Sequence, residues 1–156
     1  MAAPLPPILL VEDDANDVEM TLEAFTQGHV ANEVVTVRDG EAALDYLHAR
    51  GPYADRPPRR PAVVLLDLKL PKVDGIEVLR DIKGDARLRT LPVVVLTSSR
   101  EERDLVLSYQ LGVNAFVVKP VGFDEFTEAV RQTGLFWAVI NELSPDERPA
   151  PAPTPS

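Results

Sequence analysis

The stretch from Ala62 to Gly75, AVVLLDLKLPKVDG, constrains the fold more than any other part of the chain. Val63, Val64, Leu65 and Leu66 form an unbroken run of strand-forming apolar residues. A run without polar alternation suits a strand buried on both faces of a sheet. Asp67 follows where the strand emerges. An unpaired carboxylate is costly to bury, so Asp67 belongs at the mouth of the sheet, beside water, a cation or a ligand. Pro71 and Asp74-Gly75 make a loop, after which Ile76, Leu79 and Ile82 recur at helical spacing. In open parallel sheets the chemistry gathers at the carboxyl ends of strands, which is where this places Asp67. An Asp that merely ends a strand before a turn fits the same stretch.

The pattern recurs along the chain. Ile8 to Val11 is a second apolar run, closed by Glu12, Asp13 and Asp14. Val18, Leu22 and Phe25 then mark the inner face of a helix, with Asp14 or Asn16 as its N-cap and Gly28 as its stop. Glu33 to Val37 is a third strand, and Asp39-Gly40 leads into a helix with Ala43, Leu44 and Leu47 inward. Ala49 to Pro61, dense in proline and arginine, cannot continue that helix and is expected to be a solvated loop. Pro92 to Leu96 is a strand ending at Thr97, Ser98 and Ser99. It precedes a helix over Arg100 to Leu111 whose candidate core residues are Leu105, Leu107 and Leu111 and whose stop is Gly112. Ala115 to Val118 is the fifth strand, ending in Lys119-Pro120. Phe123, Phe126, Val130 and Trp137 support a last helix running toward Glu142. Five strands alternating with helices predict a parallel sheet wrapped on both faces. Residues 1–7 read as a lead-in, 8–143 as one domain, and 144–156 as a Pro-rich tail too poor in large apolar residues to order itself.

Charge and composition narrow the function classes. Against 25 acidic residues stand 16 Lys and Arg, a formal net charge of -9, with no basic stripe to meet a phosphate backbone; this argues against direct nucleic-acid binding. The chain has no cysteine, which excludes disulfides and thiolate chemistry. No apolar run approaches the roughly 20 residues that cross a bilayer, and the N-terminus has no signal-peptide pattern. A cytoplasmic protein without membrane contact is expected.

Each strand ends in a polar group: Glu12 and Asp13, then Asp67, Thr97 and Lys119. Singly, each reads as a strand reaching water; together on one sheet edge they make a site. One pair of like charges about 4 Å apart at an effective dielectric near 20 costs roughly 4 kcal/mol, so clustered carboxylates need a cation. Oxygen ligands without His or Cys favour magnesium. A cation, an ammonium and a hydroxyl are what a transferring phosphoryl group requires, and the carboxylate of Asp67 is the natural nucleophile, giving an aspartyl phosphate.

The passages LLVEDD, LLDLKLPKVDG, VVLTS and FVVKP resemble the receiver domain of two-component response regulators over roughly Ile8 to Glu142. The Pro-rich loop before Val63, the SYQLGVNAFVVKP passage from Ser108 and GLFW from Gly134 are similar to the small stand-alone regulators that partner bacterial and cyanobacterial phytochromes. The resemblance implies an α/β, flavodoxin-like (CheY-like) fold, doubly wound around a five-stranded parallel sheet of order 2-1-3-4-5. It implies that Asp67 takes phosphate from a phosphohistidine of a sensor kinase, here a bacteriophytochrome. Magnesium would be held by Asp13, Asp67 and the backbone carbonyl of Lys69, with Glu12 acting through water. Thr97 and Phe116 match the hydroxyl and aromatic switch positions, and Lys119-Pro120 matches a bond that is cis in relatives. The face of the fourth helix, fifth strand and fifth helix would carry the output, including a homodimer. Because the chain ends shortly after the last helix, a receiver without an output domain, acting by binding, is expected.

Departures and alternatives accompany this. Glu12 stands where many relatives carry Asp, and its longer side chain favours the water-mediated role. Phe116 lacks the hydroxyl of the commoner Tyr and also reads as a core strand residue. Lys69 and Ser99 match positions that tune phosphate loss, or are ordinary loop residues. His29 and His48 sit near helix ends, where a dipole contact accounts for them. Phe136 and Trp137 either finish the core or form a patch for a partner subunit; the reading here takes the second. A magnesium-dependent phosphatase of the haloacid dehalogenase type also forms an aspartyl phosphate, but it needs a second Asp where Lys69 stands. A flavodoxin-like nucleotide binder needs a phosphate loop where Glu12, Asp13 and Asp14 would repel one.

Overall fold

A computed structural model describes residues 5–55, 60–113 and 115–133 of the chain. The strands are β1 (Ile8–Val11), β2 (Val34–Val37), β3 (Val63–Asp67), β4 (Val93–Thr97) and β5 (Phe116–Val118). The helices are α1 (Ala15–Gln27), α2 (Gly40–Leu47), α3 (Gly75–Gly84), α4 (Arg100–Ser108) and α5 (Phe123–Gln132). All strand pairs are parallel, in the order β2-β1-β3-β4-β5. The alternation of elements predicts the parallel sheet, and the strand order is the flavodoxin-like one that the resemblance implies.

The unbroken apolar runs have a direct cause: successive side chains enter opposite cores. Ile8, Leu10, Val63, Leu65, Val94 and Leu96 pack with Val18 and Phe25 of α1 and Phe126, Ala129 and Val130 of α5. Their neighbours Leu9, Val11, Val64, Leu66, Val93 and Val95 pack with α2, α3 and Val106 of α4. Strand side chains alternate between faces, so a strand covered on both sides has no position left for a polar residue until it leaves the sheet.

Local chemistry sets the helix starts. Asp14, Asp39, Asp74 and Ser99 are the N-caps of α1 to α4, and each side chain accepts the backbone N–H three residues on. Asp14, not Asn16, is therefore the cap of α1. Gly28 is its C-cap. Beyond the shorter α4, Gly112 takes a φ of 78°, a left-handed conformation suited to glycine.

The structure corrects several inner-face expectations. Leu105 and Leu107 are exposed, at 49% and 45%, whereas Val106 between them is buried at 1%. Leucine at either position satisfies a hydrophobic count, but only the angle at which α4 meets the sheet selects the buried one. In α1, Leu22 is exposed and Thr21 is buried, donating its hydroxyl to the Asp17 carbonyl. In α2, Tyr46 joins Ala43 and Leu47 inside, while Leu44 is half-buried. The Ala49–Pro61 connection is more than a solvated loop. It contains a short 3-10 turn over Gly51–Tyr53, the Tyr53 ring meets Tyr46 edge-on at 5.3 Å, and Arg60 donates to the Arg87 carbonyl at 2.7 Å. Phe136, Trp137, the continuation of the last helix and the tail lie outside the described residues.

Candidate functional site

Strand register assembles the site. Val11 lies opposite Leu66, so the next residues, Glu12 and Asp67, leave adjacent strands together at the point where the strand order reverses. Ligand sites in doubly wound sheets form at such a crevice. On the other side, Thr97 is paired with Val118, which sets Lys119 one step beyond; the Lys119 N–H donates to the Thr97 carbonyl at 2.8 Å.

The side chains converge accordingly. The Lys119 ammonium lies 3.3 Å from Asp67 Oδ2, 3.4 Å from Glu12 Oε2 and 3.2 Å from Asp17 Oδ2. Glu12, Asp67 and Thr97 are buried, at 1%, 4% and 0% exposure, while Asp13 is exposed. Carboxylate oxygens of Glu12, Asp13 and Asp67 lie within 4.8 Å of one another. Thr97 Oγ1 is buried without a hydrogen-bond partner. Leaving such a group without a partner ordinarily costs about 1–3 kcal/mol. The Lys119-Pro120 peptide bond is cis.

Burial and the neighbouring Asp67 charge push the Glu12 carboxyl up to about 7, against the pull of the Asp14 N–H and of Lys119. Burial draws the Lys119 ammonium down, but the charges of Asp67, Glu12 and Asp17 outweigh it and hold its pKa above the ordinary value. One ammonium thus faces more negative charge than it balances. The remaining need is for a cation, and an all-oxygen donor set with one exposed member suits a hard divalent ion.

Lys69 and Phe116 flank this centre. The Lys69 N–H lies 3.4 Å from Asp67 Oδ1, and its ammonium is 80% exposed, 3.7 Å from Glu102 Oε1. The Phe116 ring is half-buried on the α2–α4 side, with the Arg103 guanidinium 5.3 Å above its centroid. Ser99 serves as the cap of α4. His48 caps the end of α2, as its position near a helix end predicts, and its Nε2 meets Asp81 Oδ1 at 2.7 Å, tying α2 to α3 away from the strand ends. His29 follows the α1 cap and is exposed.

Two participants escape sequence reasoning. Asp17 lies in the first turn of α1, where an acidic residue needs no explanation beyond the helix dipole; only the packing of α1 brings it to Lys119. Glu102 stands at the glutamate position of a Ser-x-x-Glu capping-box pattern with Ser99, and that pattern hides where its carboxylate goes. Its Oε2 accepts from both the N–H and the hydroxyl of Ser98 at 2.5 Å. Burial raises this carboxyl, but the two Ser98 hydrogen bonds and the charges of Lys69 and Lys119 bring it below the ordinary glutamate value.

Comparison with known proteins bears on this geometry. The family model described as the response regulator receiver domain matches residues 8–131. The chain belongs to the response regulator receiver family. Response regulator Rcp1 of Synechocystis sp. is 41% identical over 130 residues, covering 83% of this chain and 87% of that protein. The structure of the bacteriophytochrome response regulator AtBRR superposes on this receiver with a TM-score of 0.85 and 62% identity, covering 90% of this chain and all 100% of that one. A phosphorylated cyanobacterial phytochrome response regulator, RcpA, matches with a TM-score of 0.69 and 42% identity over 90% of this chain and 99% of its own. Rcp1 has also been solved in a Mn(2+)-bound form, which matches with a TM-score of 0.68 and 39% identity over 88% of this chain and 98% of its own.

This receiver is therefore a two-component signalling protein related to the phytochrome response regulators. The phosphatase reading is not supported: the receiver-family match covers residues 8–131, and Lys69 occupies the position where that class needs its second Asp. Among the described residues no helix is long and apolar enough to cross a membrane.

Proposed function

We propose that Asp67 accepts a phosphoryl group from the phosphohistidine of a sensor histidine kinase, a bacteriophytochrome, and that the modified receiver signals through altered protein contacts. The observation that carries this reading is the convergence on Asp67 of the Lys119 ammonium, 3.3 Å away, and of a strand end bearing the buried, unpartnered Thr97 hydroxyl. In the transfer, the N–P bond of the donor breaks as a bond forms between phosphorus and an Asp67 carboxylate oxygen, and the imidazole keeps the electron pair. Lys119 neutralises the charge on the transferring oxygens, and Thr97 turns its hydroxyl toward them. Asp13, Asp67 and the Lys69 carbonyl, with Glu12 through water, would hold Mg2+, which supplies further neutralisation when bound.

Once Thr97 turns, the space behind it admits the Phe116 ring, and the surface of α4, β5 and α5 changes. That surface carries exposed Leu107 and Val118, which supports a homodimer formed there. The receiver acts in the cytoplasm by binding rather than by turning over a separate substrate, over a domain spanning residues 8–143. Intact-mass measurement after incubation with Mg2+ and acetyl phosphate tests the central step. One added phosphoryl group, absent from Asp67→Asn, is expected; folded wild type that gains none would refute the assignment. Sedimentation of wild type against Val118→Asp tests the dimer.

A further inference from the structure

The β4–α4 loop already holds an anion of its own. Ser98 directly follows Thr97, so its N–H is the next backbone donor at that strand end, and both this N–H and the Ser98 hydroxyl are taken by Glu102 Oε2 at 2.5 Å. The other oxygen, Oε1, lies 3.7 Å from the ammonium of Lys69, two residues beyond Asp67 on the neighbouring loop. Asp13, Lys69 and Glu102 line one cavity of about 480 Å3 beside the strand ends. Glu102 is thus a carboxylate held by two donors and a cation, drawn from the two loops that flank Asp67.

We infer that Glu102 is a positioning residue for phosphoryl transfer: an internal anion that occupies the donors of the β4–α4 loop and that a phosphoryl group on Asp67 must displace. This rests on the assignment of Asp67 as acceptor. A phosphoryl group brings close to two negative charges, and a carboxylate that holds the same donors repels it and competes for them. Expulsion of Glu102 also has a mechanical result. Its backbone N–H is bonded to the Ser99 cap at 3.3 Å, and the next residue, Arg103, lies over Phe116, so a shift in this first turn of α4 reaches the aromatic ring directly. The ordinary role of a glutamate at this position is to staple the helix start, and a glutamine performs that role as well. Glu102→Gln therefore keeps the shape and the acceptor oxygen while removing the charge.

The test measures the rate of phosphoryl uptake from acetyl phosphate by intact mass in wild type, Glu102→Gln and the control Glu101→Gln, whose glutamate is exposed on the adjacent turn position. Glu102→Gln is expected to be phosphorylated at least five-fold faster than wild type, with Glu101→Gln within two-fold of it. A Glu102→Gln rate within two-fold of wild type or slower, or an equal gain in Glu101→Gln, overturns the inference. Wild type that takes up no phosphate fails the acceptor assignment instead, so the two are told apart. Should Glu102→Gln not fold, wild type labelled with 13C at glutamate Cδ decides the matter. The Glu102 resonance is expected to move on saturation with beryllofluoride, and an unchanged resonance overturns the inference.

Discussion

Glu12 makes the metal-free receiver lose stability as the pH rises through neutrality, and the size of the loss follows from its surroundings. An ordinary glutamate titrates near 4.5, whereas burial and the Asp67 charge raise Glu12 to about 7. The folded state therefore holds this proton more tightly than the unfolded chain. The stabilisation is fully present below the unfolded value and disappears as the pH passes the folded value. At about 1.4 kcal/mol per pH unit, the proton is worth roughly 3 kcal/mol at most, and screening by the solvent that reaches Asp13 and Lys119 trims this to about 2 kcal/mol. Urea unfolding of wild type and Glu12→Gln in the presence of a chelator, at pH 5 and pH 8, measures it. Between those pH values wild type should lose about 2 kcal/mol relative to the variant, or roughly 6 °C in Tm for a chain of this size. Saturating Mg2+ should remove most of the difference at pH 8, because a bound cation takes the place of the proton. Parallel pH profiles for the two proteins, or a relative gain by wild type at pH 8, would show that Glu12 is not held in the protonated form by its site.

Lys119→Met leaves Glu12, Asp17 and Asp67 without their shared cation and should cost about 2 kcal/mol in metal-free denaturant melts, part of it restored by a divalent ion. Val106→Ala should cost about 2 kcal/mol, while Leu105→Ala and Leu107→Ala each stay within about 0.5 kcal/mol, because only Val106 faces the core. Gly75→Ala would set a Cβ 2.4 Å from the Asp67 carbonyl oxygen and 2.6 Å from Leu68 Cα. A destabilisation of about 2 kcal/mol and slower phosphoryl uptake are expected, since backbone at Asp67, the proposed acceptor, must shift.

Much of this receiver is legible in its linear order. Parallel strands covered on both faces admit only apolar side chains, so the runs at Ile8, Val63 and Val93 announce the sheet, and the first polar residue after each marks the rim. Residues at strand ends are placed by strand register, which repeats every residue and tolerates no drift; this is why Glu12, Asp67, Thr97 and Lys119 meet where the chain order says they should. Helix caps are equally local, as Asp14 demonstrates. What helices present sideways is not local. The rotation of α4 about its own axis chose Val106 over two leucines, and the placement of α1 carried Asp17 to Lys119, although both depend on packing angles that no short window encodes. The same holds for Glu102, whose spacing from Ser99 reads as a cap but whose carboxylate reaches past it to Ser98 and Lys69. The cluster at the strand ends was thus determined by sequence because backbone hydrogen bonding fixes strand ends to one another, whereas its surrounding charges were decided only when helices settled onto the sheet.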